Sequence, residues 1–152
     1  MSAEGKLREL GITLREVPLG DRPLIPYVRT GNLLFLSGNG PTWEGKTWSG
    51  QVGKEYTTEQ GYEAARNCAL NLLSAARSAL GSLDKVKRVV KVLGMVNSAP
   101  GFSQQPQVIN GCSDLLVQLF GDNGRHARSA VGMAALPGNI PVEIEMILEV
   151  ED

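Results

Sequence analysis

Histidine occurs once in this chain, cysteine twice, and aromatic side chains make up only 5% of its 152 residues. Each scarcity removes a class of chemistry. The one histidine, His126, cannot build a zinc site alone, and no Cys/His/carboxylate cluster has ligand spacing. No G-x-S-x-G nucleophile motif accompanies it. Glycine is plentiful, yet Ser37-Gly38-Asn39-Gly40-Pro41 and residues 121–124 match neither a P-loop nor a dinucleotide fingerprint, both of which need a set spacing leading into a helix. The residues therefore suggest no metal and no nucleotide cofactor.

No apolar run approaches the roughly 20 residues that span a bilayer. The start, MSAEGKLREL, has no apolar h-region, so no secretory signal and a cytoplasmic location are expected. Fifteen basic against sixteen acidic residues give a net charge of -1. Without a basic excess or stripe to engage phosphates, a nucleic-acid partner is not expected. Cys68 and Cys112 fall on the apolar stripes of predicted helices, where a free thiol behaves as a small hydrophobe.

What is present reads as one domain over residues 1–152, with an N-terminal segment (1–20) preceding a core (24–150). At this length about two thirds of the unfolded surface can be buried. Residues 3–10 predict a short helix and 12–17 an edge strand. Residues 27–30 and 33–37 predict two strands around the Gly31-Asn32 turn. The glycine-rich stretch from Gly38 to Tyr56, with both tryptophans, predicts a long irregular loop. Thr57 with Gln60 predicts a capped helix that Gly81 stops. Its alanine-rich face predicts close approach to a sheet.

The β-branched run from Val86 to Val96 predicts a central strand covered on both faces. Val108, Ile109, Cys112, Leu115, Leu116 and Leu119 then share one helical stripe. In the last 27 residues an apolar run after Arg128 breaks at Pro137-Gly138-Asn139 and resumes as an alternating strand from Val142 to Val150. This pattern predicts a terminal hairpin that returns a carboxylate beside the Arg128 guanidinium. The order β-β-α-β-α-β-β gives an α+β two-layer sandwich, a mixed sheet with two helices on one face. With the other face uncovered and apolar, a homo-oligomer is expected.

Arg128 is the leading candidate for chemistry, because small neighbours leave room for a ligand and a planar guanidinium grips a carboxylate bidentately. Glu143 and Glu145 share one face of the last strand, opposite Val142, Ile144 and Met146. A partly desolvated glutamate there could serve as an acid or base near neutral pH. Gly38 could let its backbone approach a ligand. His126, two residues before Arg128, is expected on the same side, in a surface or interface role.

Ile25-Pro26-Tyr27, Leu36-Ser37-Gly38-Asn39-Gly40-Pro41, Val108-Ile109-Asn110, and above all Ala127-Arg128-Ser129-Ala130-Val131 with Leu136-Pro137 and Val142-Glu143-Ile144-Glu145, resemble the RidA (YjgF) family of enamine/imine deaminases. That family is also labelled L-PSP endoribonuclease. The resemblance implies a chorismate-mutase-like fold assembled as a trimeric barrel with clefts between subunits. It further implies a carboxylate-binding Arg128, a water-positioning Glu143, and a cleft lined by Tyr27, Gly38, Asn110 and the position of Ala130. The implied ligand is a small carboxylate-bearing imine, enamine or keto acid. The implied reaction is hydrolytic deamination of 2-aminoacrylate-type intermediates, which needs positioning and proton transfer rather than a metal or covalent intermediate. The alternatives are a non-catalytic small-carboxylate-binding trimer and an endoribonuclease. The chain departs from the family pattern at Arg125-His126, where many members have an aromatic-proline pair, and at Asn39 and Ala130.

Overall fold

A computed structural model describes residues 1–152. Along the chain run α1 (Ala3–Glu9), β1 (Tyr27–Thr30), β2 (Leu33–Asn39), α2 (Thr58–Leu80), β3 (Val86–Asn97), α3 (Gln105–Phe120), β4 (Ala127–Met133) and β5 (Val142–Val150). The strands form one mixed sheet in the order β1-β2-β5-β3-β4. Only β3 and β4 are parallel. They are joined through α3, the connection that parallel neighbours require.

Local chemistry explains the long helices. The Thr57 hydroxyl accepts from the Gln60 N–H at 3.1 Å while the Gln60 side chain accepts from the Thr57 N–H at 2.8 Å, and Gly81, at φ 84°, ends α2. This is a capping box and a left-handed stop, as the sequence predicts. Five of the six alanines of α2 (Ala64, Ala65, Ala69, Ala75, Ala76) are buried, so the helix lies close to the sheet. Glycines bring α3 equally close. A Cβ at Gly94 of β3 would come within 2.5 Å of Ile109, and one at Gly111 would overlap the Tyr62 carbonyl oxygen of α2. Cys68 and Cys112 are buried free thiols in this layer. Burial pushes the Cys112 thiol up to about 12.

The terminal hairpin does not form. β5 lies between β2 and β3, while β4 pairs only with β3 at the sheet edge. Pro137-Gly138-Asn139 does reverse the chain, but as a short 3-10 turn that carries it across the end of β3. Asn97, the buried last residue of β3, holds that crossing. Its side-chain amide donates to Asn139 Oδ1 at 3.0 Å and to the Ile140 carbonyl at 3.1 Å. Pro137 and Pro141 have no N–H to contribute to a hairpin ladder.

Two other expectations are corrected. Residues 12–17 form no strand; Arg15 and Val17 donate backbone N–H groups to Ser74 and Ser78 along α2, so their hydrogen bonds go to side chains rather than to a sheet. β3 is covered on one face only, because both long helices pack on the same side, and Leu93 and Met95 remain half-buried on the other. The short helix expected at residues 3–10 is present as α1, beside the two long ones. It buries Ala3 and Leu7, and its Glu4 carboxylate accepts from Leu83 N–H at 2.8 Å and Arg77 Nε at 3.1 Å. Glu4→Ala removes both bonds and is expected to cost about 1–2 kcal/mol in urea unfolding, with Glu4→Gln recovering part of it. An unchanged midpoint in Glu4→Ala would mean that α1 is not held there.

The face away from the helices is open. Val28, Leu33, Phe35 and Val131 are exposed on it, in register with Ile147, Glu149 and Met95. Apolar side chains seldom cluster in the open unless something covers them.

Candidate functional site

Register decides which face each candidate occupies, since directly paired residues point to the same side. Arg128 pairs with buried Val92 and Ala130 pairs with Gly94, so both point into the helix layer. Glu143 pairs with Met95 and points to the open face. Two strand spacings of about 4.8 Å also separate β4 from β5. Within one chain the guanidinium and the carboxylate therefore do not meet, contrary to the hairpin expectation.

Around Arg128 the helix layer builds a definite arrangement. Its Nη1 donates to Asn110 Oδ1 at 2.8 Å and to Ser113 Oγ at 3.1 Å. Asn110 and Ser113 stand three residues apart on α3 and so present one face to β4. No carboxylate comes within salt-bridge distance of Arg128; the four ion pairs of the chain lie elsewhere. A half-buried guanidinium held by two neutral acceptors keeps its charge uncompensated. Such a group attracts an anion.

His126 completes this cluster. Its Nδ1 meets the Gly124 carbonyl oxygen at 2.6 Å and its Nε2 meets Ser113 Oγ at 2.9 Å. The ring thus lies on the same side as Arg128. Its pKa is pushed below the ordinary histidine value, chiefly by burial and further by the Arg128 charge, against the opposing effect of the Gly124 carbonyl. Sequence reasoning overlooked Ser113; its signal was the three-residue spacing from Asn110.

On the open face, β2 bulges between Leu36 and Asn39, where Ser37 and Gly38 face a single residue of β5. The Glu143 carboxylate folds over Gly38, and a Cβ there would overlap its Oε2. Gly38→Ala must therefore displace the carboxylate. Asn39 pairs with buried Ile144 and turns to the helix side, where it lines a cavity of about 400 Å³ with Arg15, Trp43 and Asn71. Tyr27 pairs with buried Leu36 and packs at the edge of the core, apart from both clusters. Trp48 is buried against Tyr56, with ring centroids 5.2 Å apart. It is a core residue rather than a lid.

None of the five principal surface cavities is lined by Arg128 or Glu143. No group of three or more His, Cys, Asp or Glu could hold a metal ion, and no helix is long and apolar enough to cross a membrane.

The mixed sheet with its helices on one face defines an α+β, chorismate-mutase-like protein, with a half-buried arginine at its β4 edge. The chain belongs to the RidA/YjgF family: residues 4–149 match the family model described as "YjgF/chorismate_mutase-like, putative endoribonuclease". It is 43% identical over 148 residues to Protein TCP17 of Trypanosoma cruzi, covering 96% of this chain and 92% of that one. The crystal structure of Atu1372 from Agrobacterium tumefaciens, a protein of unknown function, superposes with a TM-score of 0.90 at 44% identity, covering 98% of this chain and 92% of that chain. A Shewanella oneidensis structure, described there as "a putative endoribonuclease", matches with a TM-score of 0.92 at 31% identity, covering 99% of this chain and 100% of its own.

Proposed function

We propose that this protein hydrolyses reactive enamine/imine intermediates of the 2-aminoacrylate type to 2-keto acids and ammonia, at sites shared between subunits of a homotrimer in the cytoplasm. The carrying observation is the half-buried Arg128, oriented by Asn110 and Ser113 and left without a counter-charge. It supplies the anchor that a substrate carboxylate needs. Hydrogen bonds to charged groups are the stronger kind, and a guanidinium fork adds orientation.

Glu143 and Gly38 provide the second half from another copy. The apolar open face favours association, and association would cover Glu143 without changing its own chain's geometry. The enamine tautomerises to an imine, and water adds to the C=N carbon. Proton transfer to nitrogen then expels ammonia and leaves the keto acid. Glu143 orients that water and accepts its proton, while Arg128 fixes the carboxylate so that the imine carbon faces it. Tyr27 and Ala130 would shape the remaining wall.

The test is to generate 2-iminobutyrate with a dehydratase and follow release of 2-ketobutyrate. Acceleration above the spontaneous rate is expected, and its absence would overturn the reading; saturable 2-ketobutyrate binding without any turnover would instead indicate a non-catalytic binder. Gly38→Ala is expected to lower kcat about tenfold at nearly unchanged stability, since the residue is exposed and only the carboxylate must move. A wild-type kcat in that variant would remove Glu143 from the mechanism. RNA cleavage is disfavoured by Glu143, Glu145 and Glu149, whose alternate positions on β5 put three carboxylates on the open face.

A further inference from the structure

We infer that Ser113 and His126 are positioning residues for Arg128, forming a hydrogen-bonded arm that couples occupancy of the anion site to the state of the chain's single histidine. This rests on the reading of Arg128 as a carboxylate anchor. The Gly124 carbonyl can only accept, so the 2.6 Å contact requires the proton on Nδ1. With the ring neutral, Nε2 is then an acceptor. The Ser113 hydroxyl donates to it at 2.9 Å and turns its oxygen lone pairs toward Arg128 Nη1, 3.1 Å away. One tautomer thus sets the direction of every bond in the arm. The arm fixes Nη1 and leaves the rest of the fork to the ligand.

Burial chiefly, together with the Arg128 charge, favours the neutral ring. From α3 come Asp114, occupied by the Tyr62 hydroxyl at 2.7 Å, and the protonated thiol of Cys112. From the turn before β4 come Asp122 and Arg125; β3 contributes Arg88, whose Nη2 donates to the Arg125 carbonyl at 3.0 Å, while Lys91, the register partner of Ala127, points to the opposite face. No carboxylate lies within 4.0 Å of the imidazole, and the charge that weighs on its titration is that of Arg128. A carboxylate bound to Arg128 would offset that charge. Because Arg128 helps hold the His126 pKa down, the bound anion raises it. Reciprocity then makes the anion bind more tightly as pH falls through the histidine titration.

A single histidine makes the experiment clean, since its ring nitrogens give the only imidazole signals in an NMR spectrum. In the free protein at pH 7.5 the Nδ1–H form is expected. Adding 2-ketobutyrate, ionised throughout the range used, should move the titration midpoint upward. Arg128→Ala should raise the midpoint without ligand and abolish the response to it. His126→Gln, which keeps an acceptor where Nε2 stood, should bind 2-ketobutyrate like the parent. His126→Phe and Ser113→Ala should weaken binding about tenfold and raise the KM for 2-iminobutyrate more than they lower kcat.

An Nε2–H ring, or parental affinity in both His126→Phe and Ser113→Ala, would overturn the arm while leaving the anion site standing. Failure of the parent protein to bind 2-ketobutyrate would remove the carboxylate reading and the arm's purpose with it.

Discussion

Arg128→Ala is expected to lower kcat/KM for 2-iminobutyrate roughly 100-fold or more, with the fold intact. A fork that makes two charge-assisted bonds to a carboxylate contributes about 3 kcal/mol, and each 1.4 kcal/mol is a factor of ten. Stability should change little, because Arg128 gives up only two bonds, to Asn110 and Ser113 at the half-buried edge of α3. Arg128→Lys separates charge from geometry. A lysine keeps the positive charge but not the planar fork, so it should recover only part of the loss. The measurement is steady-state release of 2-ketobutyrate from imine generated in situ, alongside a thermal melt of each variant. Full activity in Arg128→Ala would end the proposal that the β4 edge is the anchor.

Gly111→Ala is expected to be the most damaging single methyl in the molecule. Alanine is the better helix former by about 1 kcal/mol, so propensity alone would make the variant more stable. Sterics oppose it, and sterics win. The added Cβ overlaps the Tyr62 carbonyl oxygen and stands 2.8 Å from its carbon and 3.1 Å from Arg66 N, all backbone atoms of α2 that cannot rotate away. Relief requires the two helices to separate, and overpacking of this kind costs about 3 kcal/mol or more. A loss of roughly 10 °C in Tm is expected for a domain of this size. Gly61→Ala is the comparison, because its Cβ meets the Val108 side chain at 3.0 Å rather than backbone. Equal melting temperatures for Gly111→Ala and the parent would refute the α2–α3 packing described above.

Arg128 shows how far local reading goes. Its small neighbours and its place at a strand entrance single it out, and the apolar α3 stripe beside which Asn110 stands is visible as a three-and-four periodicity. What periodicity cannot supply is the side chain across the gap. Ser113 and His126 belong to different elements, and they meet only because α3 lies against the β3–β4 edge, with Gly94 admitting Ile109. Glu143 illustrates the complementary failure. Its alternation with Val142 and Ile144 assigned it correctly to the face opposite the core, yet its neighbour turned out to be Gly38 of β2 rather than Arg128. Proximity in sequence across a turn was mistaken for proximity in space.

The sequence by itself determined most of the elements, the strand expected at residues 12–17 excepted, and the ends of several. The Thr57–Gln60 capping box, the Gly81 stop, the Gly31-Asn32 turn and the alternation in β5 are all bonds or steric choices made within a few residues, so local composition is enough to specify them. Tertiary structure alone decided which strand lies beside which. Pro137-Gly138-Asn139 reverses the chain equally well whether β5 returns next to β4 or passes beyond β3, since a turn fixes direction and not neighbour. The choice was made by β3, whose ladders serve β5 on one side and β4 on the other and whose terminal Asn97 ties down the crossing. That placement puts Arg128 and Glu143 on opposite faces of the sheet.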